Sequence, residues 1–230
     1  MQVHLPKPLH GWRALVGEVG IIVLGVLIAL AFGQLAQSIH DRVSADEARD
    51  AIRAEVRENL WWLHVRANYE PCIDSMLGQL DAFLAEGRSG QATPRLTDVG
   101  LPVHGKITSL RWAANAQAGR ASLFSGEEQR NLGNMYFTTE EFRTTQESEE
   151  LVWAKLGFLD GLDHLTPLDF HELSLLLAEA RYRNFRIKLT LERGDQWAGK
   201  LHLTAANPNS VENLTLSKKV DCPALTKAHS

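Results

Sequence analysis

Leu15-Val-Gly-Glu-Val-Gly-Ile-Ile-Val-Leu-Gly-Val-Leu-Ile-Ala-Leu-Ala-Phe-Gly-Gln-Leu-Ala36 holds one acid, Glu18, and one amide, Gln34, and is otherwise apolar. As a helix these 22 residues would be about 33 Å long, against a bilayer hydrocarbon core of about 30 Å. The stretch is therefore read as a transmembrane helix over 15–36. Glu18 and Gln34 lie near its ends, where they reach headgroups or water instead of being buried in hydrocarbon. Trp12 and Arg13 precede it, and an aromatic beside a cation suits a membrane–water interface. Pro6 and Pro8 mark a non-helical lead-in within a short N-terminal segment, 1–14.

Three other readings compete. A buried core helix seldom needs to be apolar on every face. A cleaved signal peptide would use Lys7 and Arg13, then Val19–Phe32, then a cut at Ala31-Phe-Gly33. Glu18 abuts that apolar run, and the helix pattern continues past the cut, so an uncleaved anchor is favoured. A helix lying in the interface needs a polar face, which is lacking here.

Lys7 and Arg13 on one side balance Arg42 and Arg49 on the other. The N-terminal amine then tips the orientation towards a cytoplasmic N-terminus and a periplasmic domain. Gly25, Ala29 and Gly33 recur every four residues, a face on which a second membrane helix packs closely. Homodimerisation through this helix is therefore an expectation, alongside the lipid bilayer itself and an unidentified protein partner.

Beyond the span, 37–206 reads as a helical extramembrane domain and 207–230 as an extended tail. Ile39, Val43, Ile52, Val56, Leu60, Leu63, Ile73, Leu77, Leu80 and Leu84 recur at three- and four-residue steps. They predict one long helix that leaves the bilayer and continues, broken or kinked at Pro71 and ended by Gly87-Arg-Ser-Gly90. Residues 109–124 predict a second helix burying Trp112, Ala116 and Leu123. Ser125 with Glu128 reads as a capping box opening another, which the polar stretch 143–149 divides in two. Thr166-Pro-Leu-Asp169 is a helix start with proline at the first position. Phe185, Ile187, Leu189 and Leu191 alternate with polar residues, so a β-hairpin over 185–204 competes with helix there, and length favours helix. The fold class is all-α: a transmembrane helix continuing into an antiparallel helical bundle.

The formal net charge of −4 gives no electrostatic reason to seek nucleic acid. The polar cluster Asp160, Asp163, His164, Asp169, His171 and Glu172 has residue types that bind metals. Its spacing matches no metal motif, and Asp169 already has a role at a helix N-terminus. Asp160, Asp163, His164 and His171 are weak metal candidates, and no cofactor is expected. Trp61-Trp62 offers a binding platform or, more simply, core packing. Cys72 and Cys222 are the only two cysteines, and they form a disulfide only if the domain lies in an oxidising compartment. No pattern supplies a catalytic nucleophile, a phosphate loop or an acid–base pair.

The stretches Pro8-Leu-His-Gly-Trp-Arg13 and Gly17-Glu-Val-Gly-Ile-Ile-Val-Leu-Gly-Val-Leu-Ile-Ala-Leu30 resemble a recurring N-terminus of an uncharacterised proteobacterial family of single-pass membrane proteins. Leu176-Leu-Ala-Glu-Ala-Arg181 resembles them more weakly. The resemblance implies a bacterial membrane location and carries no activity or site residue. The function expected is a non-enzymatic sensing, scaffolding or partner-binding module. The alternatives are a membrane-tethered, metal-dependent enzyme, or a soluble protein secreted after cleavage at Gly33.

Overall fold

The computed structural model describes residues 11–90, 96–162, 165–206 and 226–227. Helix α1 runs from Trp12 to Arg88 without interruption, 77 residues or about 115 Å. Its first part is long and apolar enough to cross a membrane, and none of its most apolar window is covered by the rest of the chain. Burial begins at Ala45 and continues through Ala48, Ile52, Val56 and Leu60. One helix therefore contributes both the uncovered apolar segment and the central strut of the domain.

Helix α2 (Leu110–Gln117) and a 3-10 turn (Arg120–Leu123) lie across the near end of that domain. Helix α3 (Gly126–Leu156) and helix α4 (Pro167–Leu201) complete the bundle. The fold is all-α. Its only ladder among the described residues is β1 (Leu96–Asp98) against β2 (Thr226–Lys227), antiparallel, at the far end. Cross-contacts give the directions. Arg49 meets Glu128, Glu55 meets Tyr136 and Arg66 meets Glu149, so α3 runs parallel to α1. His64 meets Asp195, Asp74 meets Lys188 and Asp81 meets Arg181, so α4 runs antiparallel to α1 and hence to α3. Antiparallel pairing thus holds for α4, and the 89–125 connection carries the chain back to start α3 alongside α1.

Several local expectations are corrected. Helix α1 ends at Arg88, within the expected Gly87–Gly90 stop, but Pro71 sits inside the helix and does not break it. Tyr69, Cys72, Ile73 and Met76 around it are buried, and this packing outweighs the lost backbone hydrogen bond. The 126–156 region is one helix, not two, because the polar residues it turns inward, Thr138, Thr139, Thr145, Gln146 and Glu149, find hydrogen-bond partners. Thr138, Thr139 and Thr145 donate to backbone carbonyls of Asn134, Tyr136 and Glu141. Over 185–204 the favoured reading, helix, holds up to Leu201, and the competing hairpin is absent. Asn184, Ile187, Leu191, Gly194 and Ala198 line the buried face, and exposed Phe185 created the false alternation. Gly194 is a close approach to Leu63, not a turn. Of the residues expected inside 109–124, Trp112 is half-buried while Ala116 and Leu123 are exposed, and Asn115 is the buried residue of α2. The helix start expected at Thr166 is present, and there Thr166 and Asp169 form a full reciprocal capping box, a motif expected at Ser125 and not here. Ser125 caps α3, but Glu128 turns to Arg49 instead of closing a box. The tail expected as extended lies outside the described residues except for Thr226–Lys227.

The apolar core falls into a near cluster around Ile52, Val56 and Met135, a far cluster around Ile73, Leu80, Trp153 and Leu173, and a small middle one of Leu63, Phe142, Ile187 and Leu191. A polar layer lies beside the middle cluster.

Candidate functional site

Along α1 the buried stripe steps from Leu63 to Ile73 through Arg66 and Glu70, three and four residues apart. Arg66 is therefore carried into the core by the same periodicity that buries leucines. It is 0% exposed, as is Glu149 of α3. Arg66 Nη2 donates to Glu149 at 2.8 Å and to Asn184 Oδ1 of α4 at 3.0 Å, and Nη1 donates to Glu70. Asn184 passes the network on, donating to Asp74 at 3.1 Å, and Asp74 accepts from Lys188 at 2.8 Å. One layer thus ties all three long helices together through charge-assisted hydrogen bonds.

His104 closes the layer from the α1–α2 connection. Its Nε2 lies 3.9 Å from Glu149 Oε2, and its Nδ1 lies 3.5 Å from Glu150. Gly105 lets this loop reach α1: a Cβ there would stand 2.9 Å from Trp62 Cβ. Gln146 holds the same loop by accepting from Gly105 N at 3.3 Å. Burial pushes the Glu149 carboxyl above its ordinary range, against the opposing pull of Arg66. Burial pushes His104 down, with Glu150 acting the other way. Arg66 Nε, Glu149 Oε2, His104 Nε2 and Trp153 Nε1 are buried without a hydrogen-bond partner.

A second buried carboxylate, Glu55, caps α2 from outside: it accepts from Arg111 N at 2.8 Å, Trp112 N at 3.1 Å and Tyr136 Oη at 2.6 Å. Asn59 beside it exchanges two hydrogen bonds with the Thr108 backbone. These groups position helices. An open groove of about 320 Å³ between α1 and α4 runs past Asp74, Asp81, Arg181, Asn184, Phe185 and Lys188. It joins the polar layer to the surface and holds paired charges, with no nucleophile beside a base.

No family model matches this chain, and no curated protein or solved structure does either.

The residues singled out from sequence are dispersed. Trp12, Arg13 and Glu18 are exposed near the start of α1, and Gly25, Ala29 and Gly33 are exposed further along it. Asp163, His164 and Cys222 lie outside the described residues. Asp160 is exposed at the far end, where partial burial and Asp98 raise its carboxyl, and exposed His171 lies on the first turns of α4. Asp169 serves its own capping box, which holds its carboxyl low. Among the described residues no three His, Cys, Asp or Glu side chains are placed to hold a metal ion. Cys72 is buried and disulfide-bonded. Trp61 is packed in the core edge-on to half-buried Trp62, with centroids 4.7 Å apart. Arg66, Glu149, Glu55 and Asn59 were missed. The available signal was the charged pair Arg66 and Glu70 standing where the stripe required apolar residues.

Proposed function

We propose that this chain is a single-pass inner-membrane protein whose helical domain lies in the periplasm and acts as a sensing, scaffolding or partner-binding module. The observation that carries this reading is the continuity of α1. The uncovered apolar segment and the central core helix of the domain are the same unbroken helix. A domain mounted this way moves with its membrane anchor, with no flexible linker between them. The site supports binding and positioning: its charges are paired and fixed between helices, and the groove beside Asn184 is open to solvent. The disulfide on Cys72 supports an oxidising compartment, and Cys222 is the chain's only other cysteine.

Membrane flotation of the full chain, together with a C-terminal reporter active only outside the cytoplasm, tests the reading. Flotation with lipid and an active reporter are the expected results. Full-length product left in the supernatant, or a reporter active only in its cytoplasmic form, overturns it. N-terminal sequencing of the mature protein should find an intact start and no new terminus after Gly33.

A further inference from the structure

Between the apolar span and the first buried residue, Ala45, α1 passes through a neck, Gln37–Ser44. Its only apolar side chains are Ile39 and Val43, which are 54% and 53% exposed. They are four residues apart, so they share one face of the helix. Continued backwards at alternating steps of four and three residues, that face passes through Ala36, Phe32, Ala29 and Gly25, all exposed. This is the heptad spacing of a coiled-coil seam, running from bilayer to water without a change of phase. Gly33 falls to its flank. The core face of the same helix, Ala48, Ile52 and Val56, is rotated roughly 140–220° from Val43 at about 100° per residue. The domain's own helices therefore cover the opposite side of α1 and leave the seam open.

We infer that α1 pairs with α1 of a second copy of this chain, in parallel and in register, along Gly25, Ala29, Phe32, Ala36, Ile39 and Val43. The inference rests on the membrane reading above, because insertion gives every copy the same orientation and makes the pair parallel. Charge complementarity identifies the occupant. In a parallel pair, the residue before Val43 on one helix faces the residue five positions later on the other. Those residues are Arg42 and Glu47, both exposed, of opposite sign, and in no ion pair shown among the described residues. Two-fold symmetry makes this pairing twice. Small residues in the bilayer allow close approach, while Ile39 and Val43 bury apolar surface where water makes that burial favourable.

Single cysteines placed at Ile39, Asp41 and Val43 of the full chain, oxidised in native membranes, test the pairing. Most of the protein is expected to cross-link as a dimer from Ile39→Cys and Val43→Cys, and only a minor fraction from Asp41→Cys. Arg42→Glu in the Val43→Cys background should lower the dimer fraction, and adding Glu47→Arg should restore it. Equal cross-linking at all three positions, no dimer at Ile39→Cys and Val43→Cys, or no rescue by the charge swap overturns the inference. Recovery of the chain in the membrane fraction of the same preparation separates this failure from failure of the membrane reading.

Discussion

Arg66 is the residue whose removal should cost most for its size. Its guanidinium is wholly buried and answers Glu149, Glu70 and Asn184 at once. Arg66→Ala leaves the Glu149 carboxyl unanswered in the core, an effect of about 3–5 kcal/mol. Arg66→Met with Glu149→Leu should lose far less, because it removes both charges and keeps the volume. Urea melts of the two variants check this. His104 adds a pH dependence. Burial lowers its pKa below 6.5, so in the window between the two values the unfolded chain holds a proton that the folded one lacks. Stability therefore rises with pH through that window and is lost on acidification. Glu149, raised by burial, has the opposite sign: the folded chain is the one that keeps its proton as pH rises. Thermal melts between about pH 8 and pH 5 should show a fall that His104→Gln reduces.

At the level of the elements, α1 shows packing overruling a local rule. Proline in a helix interior costs about 3 kcal/mol through the missing donor and the clash with the preceding turn. Pro71 is exposed, while Cys72 and Ile73 beside it are buried, so the contacts that hold the turn belong to its neighbours. Pro71→Ala should accordingly raise the melting temperature of the domain, by up to about 3 kcal/mol in stability; an unchanged or lowered melting temperature would show that the bundle needs the proline's distortion. In α3 the polar face seemed to interrupt the helix only because its partners were out of view. Thr138, Thr139 and Thr145 satisfy themselves on the backbone, and Gln146 and Glu149 reach Gly105 and Arg66. Most of α4 was legible from its start: Thr166 caps the helix and Pro167 opens it, as expected. Its outer face, carrying Phe185, was what imitated a strand.

For the whole molecule, the single helix that serves both the uncovered apolar segment and the domain core is the feature that organises everything else. A link between Cys72 in the far core cluster and Cys222 would fasten the tail to this strut. Thiol labelling of the denatured, unreduced protein is then expected to modify neither cysteine, and Cys72→Ser should lower stability by about 2–4 kcal/mol.

The sequence by itself determined the apolar run, the helix stripes and the caps, because each depends on residues within a few turns of one another. Only the tertiary structure decided which polar residues are buried, that α3 lies parallel to α1, and which faces of α1 and α4 point outward. Those depend on side chains far apart in the chain: an arginine at 66 stands in a leucine's place only because a glutamate at 149 and an asparagine at 184 are brought up to meet it.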